Sequence, residues 1–167
     1  METIFNHLSD KLISLLKKDE HLIISFDGES SQFIRFNNAS IRQTGLVDDA
    51  TMGLKYIANG RTCYGAFTVS GNQDIDIQRG ENEINRMRKE SEEIPADPFL
   101  VMPKNSGSSH EIKKVNGLPF DNAVNSLIPV MEGIDFVGIW VNGKMYRGNA
   151  NSAGQRHWFE TESHCLD

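Results

Sequence analysis

The densest group of potential metal ligands lies near the carboxyl-terminal end of the chain, in the run HWFETESHC. If this run is an extended strand, alternation places Glu160, Glu162 and His164 on one face and His157 and Cys165 on the other. Two carboxylates and an imidazole suit zinc, but side chains two residues apart on a strand project in parallel and do not converge on one ion. The favoured interpretation is a polar strand face. The alternative is a metal site at Glu160, Glu162 and His164 in a small metal-dependent enzyme.

A second candidate is the pair His110-Glu111, which begins as the helical zinc motif of metalloproteases does. That motif needs a second histidine one helical turn later, so that both imidazoles reach the same ion from one face. Lys114 and Val115 occupy those positions, and the pair lies in a stretch rich in serine and glycine. We therefore expect a solvated loop histidine here and no metal.

Nucleophilic and phosphate-binding chemistry lack a supporting motif. There is no G-x-S-x-G elbow, and Ser106, Ser108 and Ser109 lie in a run of small polar residues that would not hold a nucleophile in place. Neither of the common glycine-rich phosphate loops is present. Trp140 and Trp158 are expected to be core or interface aromatics rather than a base-stacking platform.

The charge balance limits the classes of partner. The chain has 167 residues, with 17 Lys and Arg against 23 Asp and Glu, and a net charge of −6. This balance disfavours direct binding to nucleic acid or to acidic membrane surfaces. No apolar run is long enough to span a bilayer, and the amino terminus lacks the apolar core of a signal peptide. Cys63 and Cys165 are far apart and predicted to be reduced thiols, so we expect a cytoplasmic protein.

The amino-terminal part is predicted to contain one helix and several short strands. Apolar residues at helical spacing, from Phe5 to Leu16, predict an amphipathic helix over residues 2–18. Three segments rich in isoleucine and phenylalanine, separated by GESS and by two asparagines, predict strands over residues 22–27, 32–36 and 40–44.

The dipeptide Asn-Gly, the strongest short signal for a two-residue hairpin turn, occurs twice. Asn59-Gly60 predicts a hairpin between residues 49–58 and 61–70. Asn142-Gly143 lies between two apolar runs and predicts a second hairpin, which a further extended run over residues 155–164 would follow.

Two more helices are predicted, over residues 74–93 and 120–131, with Pro129 disturbing the second near its end. Between them lies a stretch rich in proline, glycine and serine that is predicted to have little regular structure. The chain is therefore divided into residues 1–94, a connection over 95–119, and residues 120–167, the last expected to be continuous with the same domain. The predicted fold class is α+β: a curved antiparallel sheet with two to three helices and a hairpin-rich carboxyl-terminal part.

An ordered series of motifs carries a family resemblance. These motifs are SSQFIRFNNASIRQTG, YIANGRTCYGAFTVSGN, a charged helix, EEIPADPFLVMP and NSAGQRHWFETES. From about residue 22 to residue 164 the chain resembles the N-terminal half of the TldD/PmbA family, the so-called modulators of DNA gyrase.

The resemblance implies an N-terminal α+β region that precedes a C-terminal region. In the TldD branch that second region carries an H-E-x-x-x-H zinc motif and acts as a peptidase on extended peptides, in a paired assembly with a PmbA-type partner. No residue of that metal site can be carried over, because His110-Glu111 is followed by Ile112, Lys113, Lys114 and Val115. The chain ends at Asp167, where the family would be expected to continue.

The function implied is therefore that of an accessory, substrate-shaping domain of a TldD/PmbA-like peptidase system. We expect no catalytic site and no cofactor in this chain, with zinc only in a C-terminal half, if one exists. The alternative is a free-standing interaction domain that binds an extended peptide along a sheet edge.

Trp158 and Phe159 lead to an expectation about assembly. Neighbouring residues of a strand lie on opposite faces, so a single-layer sheet could shelter only one of the two rings, and the other would be left for a partner. We expect self-association, as a dimer, or pairing with a TldD/PmbA-type sister subunit, with the strands of residues 134–164 near the contact. The alternative is a monomer in which both rings pack under the helix at residues 120–131.

Overall fold

The computed structural model describes residues 1–116, 118 and 120–167. In chain order the elements are α1 (Glu2–Ser14), β1 (Glu20–Asn37), β2 (Ser40–Ala58), β3 (Arg61–Thr68), α2 (Gln73–Glu93), β4 (Ser109–Lys113), α3 (Phe120–Met131), β5 (Gly138–Asn151) and β6 (Arg156–Leu166). Among these residues no helix is long and apolar enough to cross a membrane.

The strands form one open sheet in the order β3-β2-β1-β5-β6-β4. Over the described residues, three helices and this six-stranded, mixed but mostly antiparallel sheet make an α+β fold, which confirms the predicted class. The contacts divide the chain into two units. Unit 1 comprises residues 1–28, 49–111 and 146–159; unit 2 comprises residues 29–48, 112–145 and 160–167.

The core of unit 1 is built from aromatic rings and the apolar faces of α1 and α2. Phe5, Leu8 and Leu12 recur at helical spacing on α1 and are fully buried. α1 is shorter than the predicted helix over residues 2–18. Its end is closed by the N–H groups of Leu15 and Leu16, which donate to carbonyls three residues earlier, and the chain then turns into β1.

The hairpin predicted at Asn59-Gly60 is confirmed. Both turn residues have positive φ, +51° and +71°, as a primed turn requires. Residues 51–58 of β2 pair antiparallel with residues 61–68 of β3. The helix predicted at residues 74–93 is also confirmed as α2, whose amino-terminal end is capped by the Asn72 side chain accepting from the Ile75 N–H.

The prediction of three short strands between residues 22 and 44 is wrong at one of its two breaks. Residues 28–31, read as a turn because they are small and polar, lie inside the continuous strand β1. The chain reverses instead at Asn38-Ala39, where both residues have positive φ, and enters the long strand β2.

Unit 2 has a smaller core, beneath α3. Ile34 and Phe36 of β1 and Trp140 of β5 are buried together with Ala123 and Met131 of the helix. α3 has the predicted bounds and contains Pro129.

The hairpin predicted at Asn142-Gly143 is wrong, because both residues lie inside β5. A Cβ atom on Gly143 would stand 2.4 Å from Ser31 Cα and 2.5 Å from the Ser30 carbonyl oxygen. Glycine at this position therefore permits close backbone approach within the sheet rather than a turn. The reversal lies further on, at residues 152–155, where Gly154 has a φ of +92°. The connection over residues 95–119 also contains a strand, β4, that was not predicted.

Candidate functional site

Unit 1 contains a cavity of about 310 Å³ that we call the Trp158 cavity. It is lined by the first turns of α1, the start of β4 and the start of β6. The lining residues are Glu2, Asn6, Ser108, Ser109, His110, Arg156 and Trp158.

Trp158 belongs to an aromatic cluster. Its ring stacks on Phe5 at 5.5 Å and on Tyr146 at 6.0 Å, and Phe26 lies 5.8 Å away. The residue is only 3% exposed, and its indole N–H has no hydrogen-bond partner among the described residues. The cavity therefore has a rigid aromatic wall.

Arg156 is held in place by the first helix. Its guanidinium donates to Asp10 Oδ1 at 2.6 Å and to Asn6 Oδ1 at 3.2 Å, and it stands 6.0 Å from the centre of the Phe5 ring. Its positive charge is thus already paired, and a ligand would meet the flank of the side chain rather than a free cation.

The side chain of Asn151 helps to hold an irregular segment, residues 104–108, at the wall of the cavity. Asn151 is 5% exposed and donates to the Lys104 carbonyl at 3.1 Å and to Gln155 Oε1 at 3.0 Å. Gln155 in turn donates to Ser106 Oγ, and the Arg156 N–H donates to Ser108 Oγ at 3.1 Å. These bonds fix residues 104–108 beside the turn between β5 and β6.

The structure brings Ser109 and His157 together, 48 residues apart in sequence. Ser109 Oγ lies 2.8 Å from His157 Nδ1, a hydrogen bond of the kind that joins a nucleophile to its base. In a catalytic triad a third group orients the histidine, and none of the described residues does so here. His110 lies 3.2 Å from a carboxylate oxygen of Glu2. These groups supply hydrogen-bonding capacity to the cavity.

The predicted ligand set Glu160, Glu162 and His164 lies in unit 2. Glu160 accepts from Lys144 Nζ at 2.7 Å, so its carboxylate is already paired. Among the described residues no group of three or more His, Cys, Asp or Glu side chains could hold a metal ion. The three residues therefore share a strand without being gathered into a site. Cys63 is buried, Cys165 is exposed and both are free.

Of the two aromatics singled out as partner contacts, Trp158 lies in the core of its own unit and Phe159 is half-buried. Trp158 packs against Phe5 of α1 and not under the helix at residues 120–131. Its burial does not support a role in contacting a partner. A tryptophan on a strand can be covered by any helix that crosses the sheet, and sequence alone did not indicate which one does so.

A partly buried ionic network in unit 1 was missed entirely by sequence reasoning. Arg88 donates to both carboxylate oxygens of Glu20 at 2.8 Å, and the Lys17 N–H donates to the same carboxylate. Burial by itself raises the pKa of Glu20, but these hydrogen bonds outweigh it and lower the pKa to about 2. Burial, and then the Glu20 carboxylate, raise the pKa of Tyr56 above its usual range. Every charge here is paired within the protein, so the network is structural.

No protein-family model matches the sequence, and no curated protein matches it. Solved structures do match. TldE from Thermococcus kodakarensis covers 99% of this chain at 14% identity and a TM-score of 0.70. A proposed modulator of a DNA gyrase from Thermotoga maritima covers 97% at 15% identity and a TM-score of 0.68. The chain has the fold of these proteins. A further proposed gyrase modulator, from Bacteroides thetaiotaomicron, covers 99% at 15% identity and a TM-score of 0.55.

The chain spans 38% of the length of each of these three proteins. With identities of 14 to 15%, the likeness concerns the fold. The fold expected from the TldD/PmbA resemblance is thereby confirmed.

Proposed function

We propose that this chain is the accessory, substrate-shaping region of a TldD/TldE-like peptidase system, in which a zinc-bearing subunit performs the cleavage. The observation that carries this proposal is the fold match, which covers 97 to 99% of this chain but 38% of each neighbour. A region with that share of a larger protein, and without the paired histidines of a zinc motif in its sequence, is suited to forming part of a binding surface.

The Trp158 cavity and the edge strand β4 would provide that surface. β4 stands at one end of the sheet order, and all five of its residues are exposed. An extended peptide adds to such an edge through main-chain hydrogen bonds while one of its side chains enters a neighbouring pocket. The Trp158 ring suits an apolar side chain of the peptide, and Ser109 and His110 supply polar groups beside it.

The proposal is tested by the binding of a short, unstructured, fluorescently labelled peptide, followed by anisotropy. We expect weak binding, with a Kd of about 0.1 to 1 mM, because edge pairing alone leaves little energy after the peptide is ordered. The matched control is the same peptide N-methylated at alternate amides, which cannot pair along a strand edge and should not bind. Equal binding of both peptides would contradict the β4 assignment.

The second half of the test measures hydrolysis. The chain alone should not cleave the peptide, with or without added zinc. Addition of a zinc-bearing TldD-type subunit from the same organism should produce both a stable complex, seen by light scattering, and cleavage. Cleavage by the purified chain alone would overturn the accessory role.

The second candidate function is a free-standing peptide-binding domain, which the same exposed β4 edge favours. If the chain binds the peptide but forms no complex with a TldD-type subunit, the result would favour this second function over the accessory role. For either function we propose the reducing cytoplasm as the compartment, in keeping with the two free thiols.

A further inference from the structure

One half of β2 presents a bare strand edge. Residues 51–58 pair with β3, and the Ala50 carbonyl accepts from the Val69 N–H just beyond that ladder. From residue 49 back to residue 40, β2 has β1 on one side and no strand on the other, within the part of the chain that the structure describes. In unit 2 this bare segment is residues 40–48, SIRQTGLVD.

The segment has few of the features that usually protect an edge. Proteins blunt exposed edges with lysine, proline or a covering element, because the free N–H and C=O groups invite another strand. Residues 40–48 contain neither lysine nor proline, and Leu46 is 80% exposed. Such an edge is suited to pairing with a further strand.

The charges of the segment specify which strand fits. Its charged residues are Arg42 and Asp48, and neither has an ion-pair partner among the described residues. In an antiparallel pair of two copies centred on Gly45, Arg42 of each copy lies directly opposite Asp48 of the other. Opposite charges in that position stabilise a strand pair, and the symmetry makes the contact twice.

We propose that a second copy of this chain pairs with residues 40–48, forming a twofold dimer through an antiparallel strand pair centred on Gly45. In this register Thr44 lies opposite Leu46, which covers part of the exposed leucine, and the two glycines meet at the axis without side chains. The proposal moves the contact from the strands of residues 134–164, expected from the sequence, to β2. It does not depend on the proposed peptide-binding role.

A charge swap tests the register. We expect sedimentation equilibrium at tens of micromolar to show a dimer of the wild-type chain. Arg42→Asp and Asp48→Arg should each raise the dimer Kd roughly 30-fold, because each replaces two attractive pairs by two repulsive ones. The double variant that carries both substitutions restores opposite charges and should return the Kd to within about threefold of wild type.

The matched control is Lys89→Asp, which makes the same charge change at an exposed position on α2, in unit 1. It should leave the Kd unchanged. A wild-type chain that stays monomeric up to several hundred micromolar would overturn the proposal. So would a dimer whose Kd is the same in all four variants, since its contact would then lie elsewhere. Circular dichroism of each variant verifies that the exposed substitutions leave the fold intact.

Discussion

Trp158 in unit 1 and Trp140 in unit 2 are equally buried, at 3% exposure, but they sit in different cores. Trp158 is packed among the rings of Phe5, Phe26 and Tyr146, in a core to which both α1 and α2 contribute. Trp140 belongs to a smaller cluster under α3 alone. The comparison indicates that unit 1 is the more complete folding unit, whereas unit 2 has fewer interior contacts to hold it.

β2 makes the same contrast within one strand. Residues 51–58, in unit 1, have a neighbour on each side, β1 and β3. Within the part of the chain that the structure describes, residues 40–48, in unit 2, have β1 as their single neighbouring strand. Main-chain groups on the bare side are satisfied by water in a monomer and by another strand in an assembly. The exposed edge of β2 thus lies in the unit that has the smaller core.

The largest effect is expected from truncating the aromatic core. Trp158→Ala should lower the free energy of unfolding by about 5 kcal/mol, because three rings lose their contacts and cannot collapse into the space. Trp140→Ala should cost about 3 kcal/mol, since a single helix can shift to fill part of its cavity. Urea denaturation midpoints measure both. An equal or larger cost for Trp140→Ala would contradict the ranking of the two cores.

The partly buried pair of Glu20 and Arg88 should give the next effect. Glu20→Gln leaves a partly buried guanidinium without its charge partner and should cost about 2 to 3 kcal/mol at pH 7. The folded pKa of about 2 lies below the ordinary glutamate pKa of 4.5, so the carboxylate stabilises the fold above pH 4.5. That stabilisation is lost as the pH falls through about 2. The difference in free energy of unfolding between wild type and Glu20→Gln should therefore shrink as the pH is lowered from 4.5 to about 2.

The control for that pair is Glu83→Gln, on the same helix, α2. Glu83 pairs with Arg86 at 2.9 Å, but the arginine is half exposed. An exposed pair of this kind is worth less than about 1 kcal/mol. The free energy of unfolding lost in Glu20→Gln should exceed that lost in Glu83→Gln and should depend on pH. A loss that is no larger, or that is independent of pH, would show that this pair contributes no more stability than an exposed pair.

The two Asn-Gly glycines should give smaller and distinguishable effects. Gly143→Ala should cost about 2 kcal/mol, because its Cβ would press on the backbone of Ser30 and Ser31. Gly60→Val should cost about 1 to 2 kcal/mol, because a β-branched residue is strained at a φ of +71°. An unchanged urea midpoint for either variant would contradict the role assigned to that glycine.

These two dipeptides also mark the limit of sequence reasoning about the fold. Asn59-Gly60 and Asn142-Gly143 give the same local signal, yet one is a turn and the other lies inside a strand. The difference is made by Ser30 and Ser31, more than a hundred residues away, whose backbone leaves no room for a side chain at Gly143. Local signals were sufficient elsewhere: helical periodicity predicted α2 and α3, and the turn dipeptide predicted the first hairpin.

The candidate site was only partly predictable for the same reason. His110, Ser108, Ser109 and Trp158 were all considered from the sequence, but as separate features. Asn151 brings them together by anchoring residues 104–108, and no sequence pattern links an asparagine to a carbonyl 47 positions earlier. Glu20 and Arg88 are 68 residues apart, so their ion pair could not be predicted from the sequence for the same reason.

Amide hydrogen exchange along β2 tests the contrast between the two halves most directly, since both are read in one experiment. With increasing protein concentration, the edge-facing amides of residues 40–48 should become protected as a second copy covers them, while residues 51–58 remain equally protected throughout. Fast exchange of residues 40–48 at every concentration would contradict the claim that this edge is completed by another chain.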